Sequence, residues 1–174
     1  MLDVGGGPGV DGEFLELYRE FDEVVVVNLD PVDLKAPAGA RVRKIVADAR
    51  ALPLESGSFD WVFSNAVIEH VGSWGHQERF AKEIQRVAGR GYFVTTPNKY
   101  FPIEPHTMLP LYQFLPASVQ KKVVPYSPGY MRSYGELDLL TAGQLRKLFP
   151  GAQVHAVGFP ILGNSLVAYH GKEG

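Results

Sequence analysis

The stretch that decides the fold opens the chain: Met1-Leu2-Asp3-Val4-Gly5-Gly6-Gly7-Pro8-Gly9. Its apolar residues predict a short strand, and the glycines predict a sharp turn where a ligand can approach the backbone. An amphipathic helix is predicted over Asp11–Glu20, so its unpaired N–H groups would face the same turn. This strand–turn–helix arrangement indicates a nucleotide-type ligand.

Strands and helices alternate along the rest of the chain. Strands are predicted over residues 24–27, 42–46, 59–63, 91–95, 153–157 and 165–169, and helices over 77–87 and 142–149. This alternation predicts an α/β fold with a Rossmann-like, doubly wound and mostly parallel sheet. The last two strands lie too close together for a helical crossover, so they are expected to form an antiparallel hairpin. Residues 1–174 are predicted to form a single domain.

Two acidic residues follow predicted strands. Asp30 ends the second strand and can accept hydrogen bonds from both ribose hydroxyls of an adenosine. Asp48 follows the third strand and can accept the adenine amino group. Each also has a purely structural interpretation, Asp30 as a turn residue before Pro31 and Asp48 as a helix cap or turn residue. Because Gly7–Gly12 also fits the dinucleotide pattern, a nicotinamide-dependent oxidoreductase stays open at this point.

Four segments together resemble the class I S-adenosylmethionine-dependent methyltransferases, closest to the type 11 small-molecule branch. They are Leu2–Gly9, Asn28–Asp30, Asp48–Pro53 and Phe59–His70, in that order and spacing. The resemblance covers residues 2–97 closely and implies S-adenosylmethionine as the cofactor. It also implies seven strands in the order 3-2-1-4-5-7-6, with the terminal hairpin supplying the antiparallel seventh strand.

The resemblance implies a set of cofactor-binding residues: Asp3, Gly5, Gly6, Gly7, Pro8, Gly9, Asp30, Pro31, Asp48, Ala49, Arg50, Asn65 and Ala66. Those from Asp3 to Gly9 would contact the methionine portion, Asp30 the ribose, and Asp48 with Ala49 the adenine. Asn65 and Ala66 would lie beside the sulfonium. The family normally has helical sequence before its first strand, and that N-terminal helix is missing here. An upstream extension of a few tens of residues in the native gene product is therefore expected.

Three residues are candidates for catalysis or acceptor binding: His70, Glu104 and His106. Methyl transfer mainly requires positioning and the exclusion of water, and it needs a general base only where the acceptor must lose a proton. An imidazole with a pKa of about 6.5 can take such a proton. The alternative is that Glu104 and His106 bind the backbone of their own proline-rich segment. No metal is predicted, because the histidines lack ligand spacing and no tight His/Asp/Glu cluster is evident.

Residues 97–135 form an insertion that holds seven of the thirteen prolines. Its apolar residues 109–116 are followed by Lys121 and Lys122, a combination suited to an amphiphilic acceptor or to transient contact with a membrane surface. The alternative is a lid helix packed on the core. We expect a lid over the acceptor site, with Tyr126, Tyr130 and Tyr134 lining a pocket for a small or lipid- or sugar-linked acceptor.

Composition narrows the functional classes. Hydrophobic residues make up 45% of the 174, the formal net charge is −2, and cysteine is absent. The charge balance argues against a nucleic-acid partner, and the lack of cysteine excludes disulfides and thiolate chemistry. No apolar run reaches the length of a membrane span, so a cytoplasmic setting is expected, with homodimerisation as one way to cover an exposed face. Methyl transfer to a small or lipid- or sugar-linked acceptor is the expected function. The alternatives are an NAD(P)-dependent oxidoreductase and a non-catalytic protein that retains the fold.

Overall fold

The computed structural model describes residues 1–7, 16–31 and 38–171. The predicted ligands Pro8 and Gly9, and the first part of the predicted helix Asp11–Glu20, lie outside the described residues. The part of that helix that is described, Glu16–Glu20, is a 3-10 helix with Tyr18 as its buried residue.

The described strands are β1 (Leu2–Val4), β2 (Val24–Asn28), β3 (Val42–Val46), β4 (Phe59–Asn65), β5 (Ala88–Pro97), β6 (Gln153–Val157) and β7 (Ser165–Gly171). The described α-helices are α1 (Trp74–Val87), α2 (Ala117–Val123) and α3 (Ala142–Leu148). Short 3-10 helices also occur at Ile68–His70, Tyr112–Phe114 and Val124–Tyr126. In this part of the chain no helix has the length and apolar character needed to cross a bilayer.

The seven strands form one sheet in the order β3-β2-β1-β4-β5-β7-β6. β1 to β5 are paired in parallel, whereas β7 pairs antiparallel with both β5 and β6. The predicted Rossmann-like fold, strand order and terminal hairpin are therefore confirmed. The four valines of β2 are buried, as expected for a central parallel strand covered on both faces.

The main core lies between the sheet and the helices α1 and α3. α1 contributes Phe80, Ile84 and Val87, all with no exposed surface, and these pack with apolar residues of β1, β4 and β5. Thr141 begins α3 with a capping box, in which its hydroxyl accepts from the Gln144 N–H and the Gln144 side chain accepts from the Thr141 N–H. Because the parallel strands share a direction, the carboxyl ends of β1, β2, β4 and β5 lie at one edge of the sheet, where ligands bind in such folds.

The predicted insertion begins as β5 ends and continues beyond α2. Tyr112 and Val124 are its buried apolar anchors, while Leu111 and Phe114 are about half exposed and α2 buries none of its residues. The apolar stretch 109–116 thus packs on the protein through only part of its surface.

Candidate active site

The glycine loop after β1 is held against β2 and the segment that follows β4. The Gly5 N–H donates to the carbonyl oxygen of Val27 over 2.7 Å, and Gly5 has a φ of 83°, a conformation that favours glycine. A Cβ at Gly5 would overlap Cγ2 of Val67. A Cβ at Gly7 would meet no described atom within 4 Å, so the described residues leave space beside the chain there. The loop therefore presents bare backbone to a ligand.

Asp3 lies beneath this loop. Its side chain is buried and accepts a hydrogen bond from the Tyr18 hydroxyl, and a Cβ at Gly6 would lie 2.7 Å from its Oδ2 atom. Burial raises the pKa of Asp3 to about 6, although the hydrogen bond from Tyr18 opposes this shift. The structure thus gives Asp3 a supporting position under the loop, and its contact with the methionine portion of the cofactor stays a prediction.

A cleft of about 440 Å³ opens at the carboxyl ends of β1, β2, β3 and β4. It is lined by Gly5, Val27, Asn28, Leu29, Ala47, Asp48, Ala49, Arg50, Ala66, Val67, His70 and Val71. Six of these lining residues were predicted from the sequence as site residues. Asp30 and Pro31 are exposed just beyond Leu29 at its rim. The other apolar lining residues, Val27, Leu29, Ala47, Val67 and Val71, were not predicted from the sequence, although Leu29 stands directly beside Asp30 in the segment Asn28–Asp30.

Asp48 and Arg50 form a pair on the β3 side of the cleft. Arg50 Nη2 donates to Asp48 Oδ2 over 2.7 Å and Arg50 Nε to Asp48 Oδ1 over 2.9 Å, which is a bidentate arrangement. The hydrogen bonds from Arg50 lower the pKa of Asp48, so this carboxyl is ionised at neutral pH. Arg50 Nη1 also donates to the carbonyl oxygen of Val71 over 3.1 Å and thereby links the two walls of the cleft.

Asn65 is the last residue of β4, and Ala66 follows it. Ala66 has a φ of 52°, uncommon for a residue with a Cβ, and its N–H donates to the carbonyl oxygen of Thr95 over 3.1 Å. The Thr95 hydroxyl donates to Asn65 Oδ1 over 2.5 Å. This turn directs the chain back along the cleft toward His70. Ala66 lines the cleft, whereas the Asn65 side chain is exposed beside it.

Glu104 and His106 are both buried, and Glu104 fixes the histidine. One Glu104 oxygen lies 2.5 Å from His106 Nδ1 and 3.1 Å from the His106 N–H, and the other accepts from the N–H and hydroxyl of Thr107, each over 2.8 Å. Burial opposes ionisation of Glu104, but the hydrogen bonds from His106 and Thr107 outweigh it and lower the pKa. Because a carboxylate only accepts, Nδ1 of His106 carries the proton and its Nε2 has a free lone pair when the ring is neutral.

Residues 127–131, which we call the strap, lie against the turn at residues 104–107 and hold it in place through hydrogen bonds to its backbone. The carbonyl oxygen of Thr107 accepts from the Ser127 hydroxyl over 2.5 Å and from the Gly129 N–H over 3.0 Å, and the Met131 N–H donates to the carbonyl oxygen of His106 over 3.0 Å. A Cβ at Gly129 would overlap the carbonyl oxygen of His106, so only glycine lets the strap lie this close. Glu104 and His106 thus bind the backbone of their own segment, and the hydrogen bonds described for this turn do not use His106 Nε2.

Glu69 is the main residue that the sequence analysis missed. It has no exposed surface, its Oε2 accepts from the Thr96 hydroxyl over 3.0 Å, and burial raises its pKa to about 7. Its Oε1 lies 3.9 Å from Nε2 of both His70 and His106. The signal available was its place beside His70, but a glutamate in an apolar segment gives no sign that it faces a distant histidine.

His70 joins the two sides of the site. Its ring meets that of His106 edge-on, with centroids 5.0 Å apart, and it also lines the cleft. Burial and the neighbouring His106 lower the pKa of His70, so it is neutral at physiological pH. We call Glu69, His70, Glu104 and His106 the acid–histidine cluster. The expectation that no tight His/Asp/Glu cluster exists is wrong, because the fold brings together residues that are distant in sequence.

The predicted tyrosines differ in their positions. The Tyr130 ring lies 5.7 Å from that of His106 and is 74% exposed, so it flanks the acid–histidine cluster. Tyr134 contacts Lys121, whose Nζ lies 4.9 Å from the ring centroid, and Tyr126 is almost fully exposed. Of the three, Tyr130 alone has a described contact with the cluster.

The strand order and the cleft define a Rossmann-like domain that binds a nucleotide-type cofactor. A family model described as a methyltransferase domain matches residues 2–95. The chain therefore belongs to the class I S-adenosylmethionine-dependent methyltransferases, whose cofactor is S-adenosylmethionine. These comparisons favour the methyltransferase interpretation over the nicotinamide alternative.

Individual relatives agree with this assignment. Ajmaline N-methyltransferase of Rauvolfia serpentina is 34% identical over 100 residues, which are 52% of this chain and 33% of that protein. The chain thus spans about a third of the length of the curated relatives it matches.

Solved structures share the fold. A methyltransferase from Methanosarcina mazei aligns with a TM-score of 0.62 and 16% identity over 97% of this chain and 89% of that one. The 1,6-didemethyltoxoflavin-N1-methyltransferase of Burkholderia thailandensis, solved with S-adenosylhomocysteine and 1,6-didemethyltoxoflavin bound, aligns with a TM-score of 0.57 and 20% identity, covering 99% of this chain and 70% of that one.

Proposed function

We propose that this protein transfers a methyl group from S-adenosylmethionine to a small acceptor through a nitrogen or oxygen atom. The observation that carries the proposal is the position of His70, which lines the cleft and also belongs to the acid–histidine cluster, where its ring meets that of His106. A cofactor in the cleft and an acceptor against the cluster would then be adjacent. Two of the similar proteins are named as N-methyltransferases, which supports a small acceptor.

The residues at the cleft fit the cofactor. The bare backbone of the glycine loop suits the methionine portion, and Asp30 at the rim suits the ribose hydroxyls. Asp48 keeps acceptor capacity for the adenine amino group, because a carboxylate offers about four lone-pair positions and Arg50 occupies only part of them. When bound, the cofactor supplies an activated methyl group on its sulfonium.

The chain's own contribution to the reaction is then positioning and the exclusion of water, for which proximity alone is worth about 7–11 kcal/mol. Nε2 of His106 and Nε2 of His70 both face the same space, each 3.9 Å from Glu69 Oε1. Exposed aromatic side chains of the insertion, Tyr100, Phe114 and Tyr130, offer apolar contacts to an acceptor that is free or attached to a lipid or sugar. In this proposal residues 97–135 act as the lid of the acceptor site.

Calorimetry with S-adenosylmethionine and S-adenosylhomocysteine tests whether the protein binds the proposed cofactor. We expect both to bind, and we expect Asp30→Ala to weaken binding by about 1–3 kcal/mol, since charge-assisted hydrogen bonds to the ribose are lost. Asp22→Ala is the matched control, because Asp22 is an exposed aspartate at the opposite end of β2. Equal losses in both variants, or no binding by the wild-type protein at millimolar concentration, would contradict the proposal.

Turnover is tested with methyl-labelled S-adenosylmethionine and fractionated cell extract. Transfer of label to a small molecule is the expected result. Cofactor binding without transfer to any fraction would instead favour a non-catalytic protein that keeps the fold.

A further inference from the structure

The acid–histidine cluster contains a buried polar atom that the described residues leave without a hydrogen-bond partner. Among the described residues, Oε1 of Glu69 has no hydrogen-bond partner, although the residue is fully buried and its Oε2 accepts from the Thr96 hydroxyl. Buried carboxylate oxygens are normally satisfied by a donor or a cation. The arrangement therefore points to a missing ligand at this position.

Two imidazole nitrogens face the same oxygen. Nε2 of His70 and Nε2 of His106 each lie 3.9 Å from Glu69 Oε1, and the donor atoms of the three residues all lie within 4.8 Å of one another. Tetrahedral ligands at about 2.0–2.2 Å from a metal ion lie roughly 3.3–3.6 Å apart, so seating an ion requires the 3.9 Å pairs to close by about 0.3–0.6 Å and any pair near the 4.8 Å limit to close by about 1.2–1.5 Å. His70 is 46% exposed on its side chain, which leaves a route of entry from solvent.

Hydrogen bonds orient the donor atoms of Glu69 and His106, as they commonly do for the ligands of a metal ion. Glu104 holds Nδ1–H of His106, which directs the lone pair of Nε2 into the cluster, and carboxylate-to-histidine hydrogen bonds of this kind commonly orient metal ligands. Thr96 likewise fixes the second oxygen of Glu69 and leaves Oε1 free. Both orienting groups are buried, so the donor atoms of Glu69 and His106 are held in place before any ion arrives.

We propose that Glu69, His70 and His106 bind a divalent transition-metal cation at the acceptor end of the site. Two imidazoles and one carboxylate favour ions such as Zn²⁺, Mn²⁺, Fe²⁺ or Co²⁺ over Mg²⁺ and Ca²⁺, which prefer oxygen ligands. Three protein ligands leave open coordination positions, and one of these takes an oxygen of the acceptor. This use of the ion rests on the proposed methyl transfer, whereas the binding of the ion does not.

Cobalt binding tests the site directly. The full chain is treated with EDTA, desalted and titrated with Co²⁺, whose visible absorption bands report coordination, and Zn²⁺ is then added as a competitor. We expect one equivalent of Co²⁺ to bind and Zn²⁺ to displace it. His70→Ala and His106→Ala should each lower the affinity at least tenfold, and Glu104→Gln should lower it by about 10–100-fold through loss of the orienting hydrogen bond.

His155→Ala is the matched control, since His155 is an exposed histidine on β6 away from the cluster, and it should bind Co²⁺ as the wild-type protein does. Because His70 is partly exposed, its variant is expected to fold even where substitution of Glu69 does not. Calorimetry with S-adenosylhomocysteine on each sample separates the two proposals. Cofactor binding without Co²⁺ binding at millimolar concentration overturns the metal site alone, as does an equal loss of Co²⁺ affinity in His155→Ala.

Discussion

The cofactor cleft and the acid–histidine cluster are neighbours built in different ways. The cleft is formed by short, local segments at the ends of strands, where residues with little or no side chain, such as Gly5, Ala49 and Ala66, expose the backbone. The cluster is formed by the buried side chains of Glu69, Glu104 and His106 and the partly exposed side chain of His70, from segments more than thirty residues apart, 69–70 and 104–106. One part is therefore specified by local sequence, and the other depends on the whole tertiary structure.

Among substitutions near the cleft, Gly5→Ala is expected to destabilise the protein most. The new Cβ would overlap Val67 in a conformation that already disfavours any side chain, so we expect a loss of about 3–5 kcal/mol in the free energy of unfolding. Urea denaturation measures this change, and calorimetry should show weakened S-adenosylhomocysteine binding in the fraction that still folds.

Substitutions at two other glycines separate the effect of the backbone conformation from the effect of the overlap with Val67. Gly39→Ala imposes the same kind of φ, 89°, without a described neighbour within 4 Å, and should cost only about 1–2 kcal/mol. Gly7→Ala should leave stability nearly unchanged and weaken binding of S-adenosylhomocysteine, because the open space beside Gly7 is where the cofactor would pass. If Gly5→Ala is no more costly than Gly39→Ala, the overlap with Val67 is not decisive.

The buried position of Asp3 beneath the glycine loop can be tested by measuring the free energy of unfolding as a function of pH. The folded protein holds a proton on Asp3 up to its pKa of about 6, whereas the unfolded chain releases it near 3.8. Between these values the folded state binds more protons, so the contribution of Asp3 to stability falls as pH rises, by up to about 3 kcal/mol, and is constant above pH 6. Asp3→Asn removes this dependence.

The measurement compares urea unfolding of wild-type and Asp3→Asn protein at intervals from pH 4 to pH 8. Glu69, whose pKa is also raised, contributes equally to both proteins and cancels in the difference. We expect the variant to gain stability relative to wild type as pH rises toward 6. Parallel profiles would show that Asp3 is not held as a buried acid.

The cluster side is tested by Glu104→Gln. The carboxylate accepts four hydrogen bonds from His106 and Thr107, and an amide in its place has one accepting oxygen and turns its NH₂ toward donors. The unpaired groups should lower the free energy of unfolding by about 2 kcal/mol. Glu136→Gln, an exposed change in the same part of the chain, should stay within about 0.5 kcal/mol of wild type. Similar values for the two variants would argue against Glu104 as the organiser of this turn.

The sequence predicted the fold, because the strands and the terminal hairpin depend on local patterns and the strand order follows from four motifs in register. Part of the cleft lining was also predicted, since Gly5, Asp48, Ala49, Arg50, Ala66 and His70 lie in those motifs. The valine run of β2, the glycine loop and the hairpin of β6 and β7 were all correctly placed. Glu104 and His106 were also found, since they stand close together in a proline-rich segment. Glu69 was not, because its partners arrive from β5 and from the turn after β5, and no local pattern records that approach.

Thr107 brings together two parts of the insertion that are twenty residues apart in the sequence. Its carbonyl oxygen binds Ser127 and Gly129, so the chain leaves this point at Met108 and returns to it at Ser127 after an excursion through Tyr112–Phe114, α2 and Val124–Tyr126. Residues 108–126 therefore form a loop whose two ends are held together by the hydrogen bonds to the carbonyl oxygen of Thr107. The loop is also tied to the residues before it, because the Glu104 N–H donates to the carbonyl oxygen of Leu109 and the Gln113 side chain donates to the carbonyl oxygens of Lys99 and Phe101. A replacement loop that changed the proposed acceptor surface would therefore have to keep the contacts of Leu109 and Gln113.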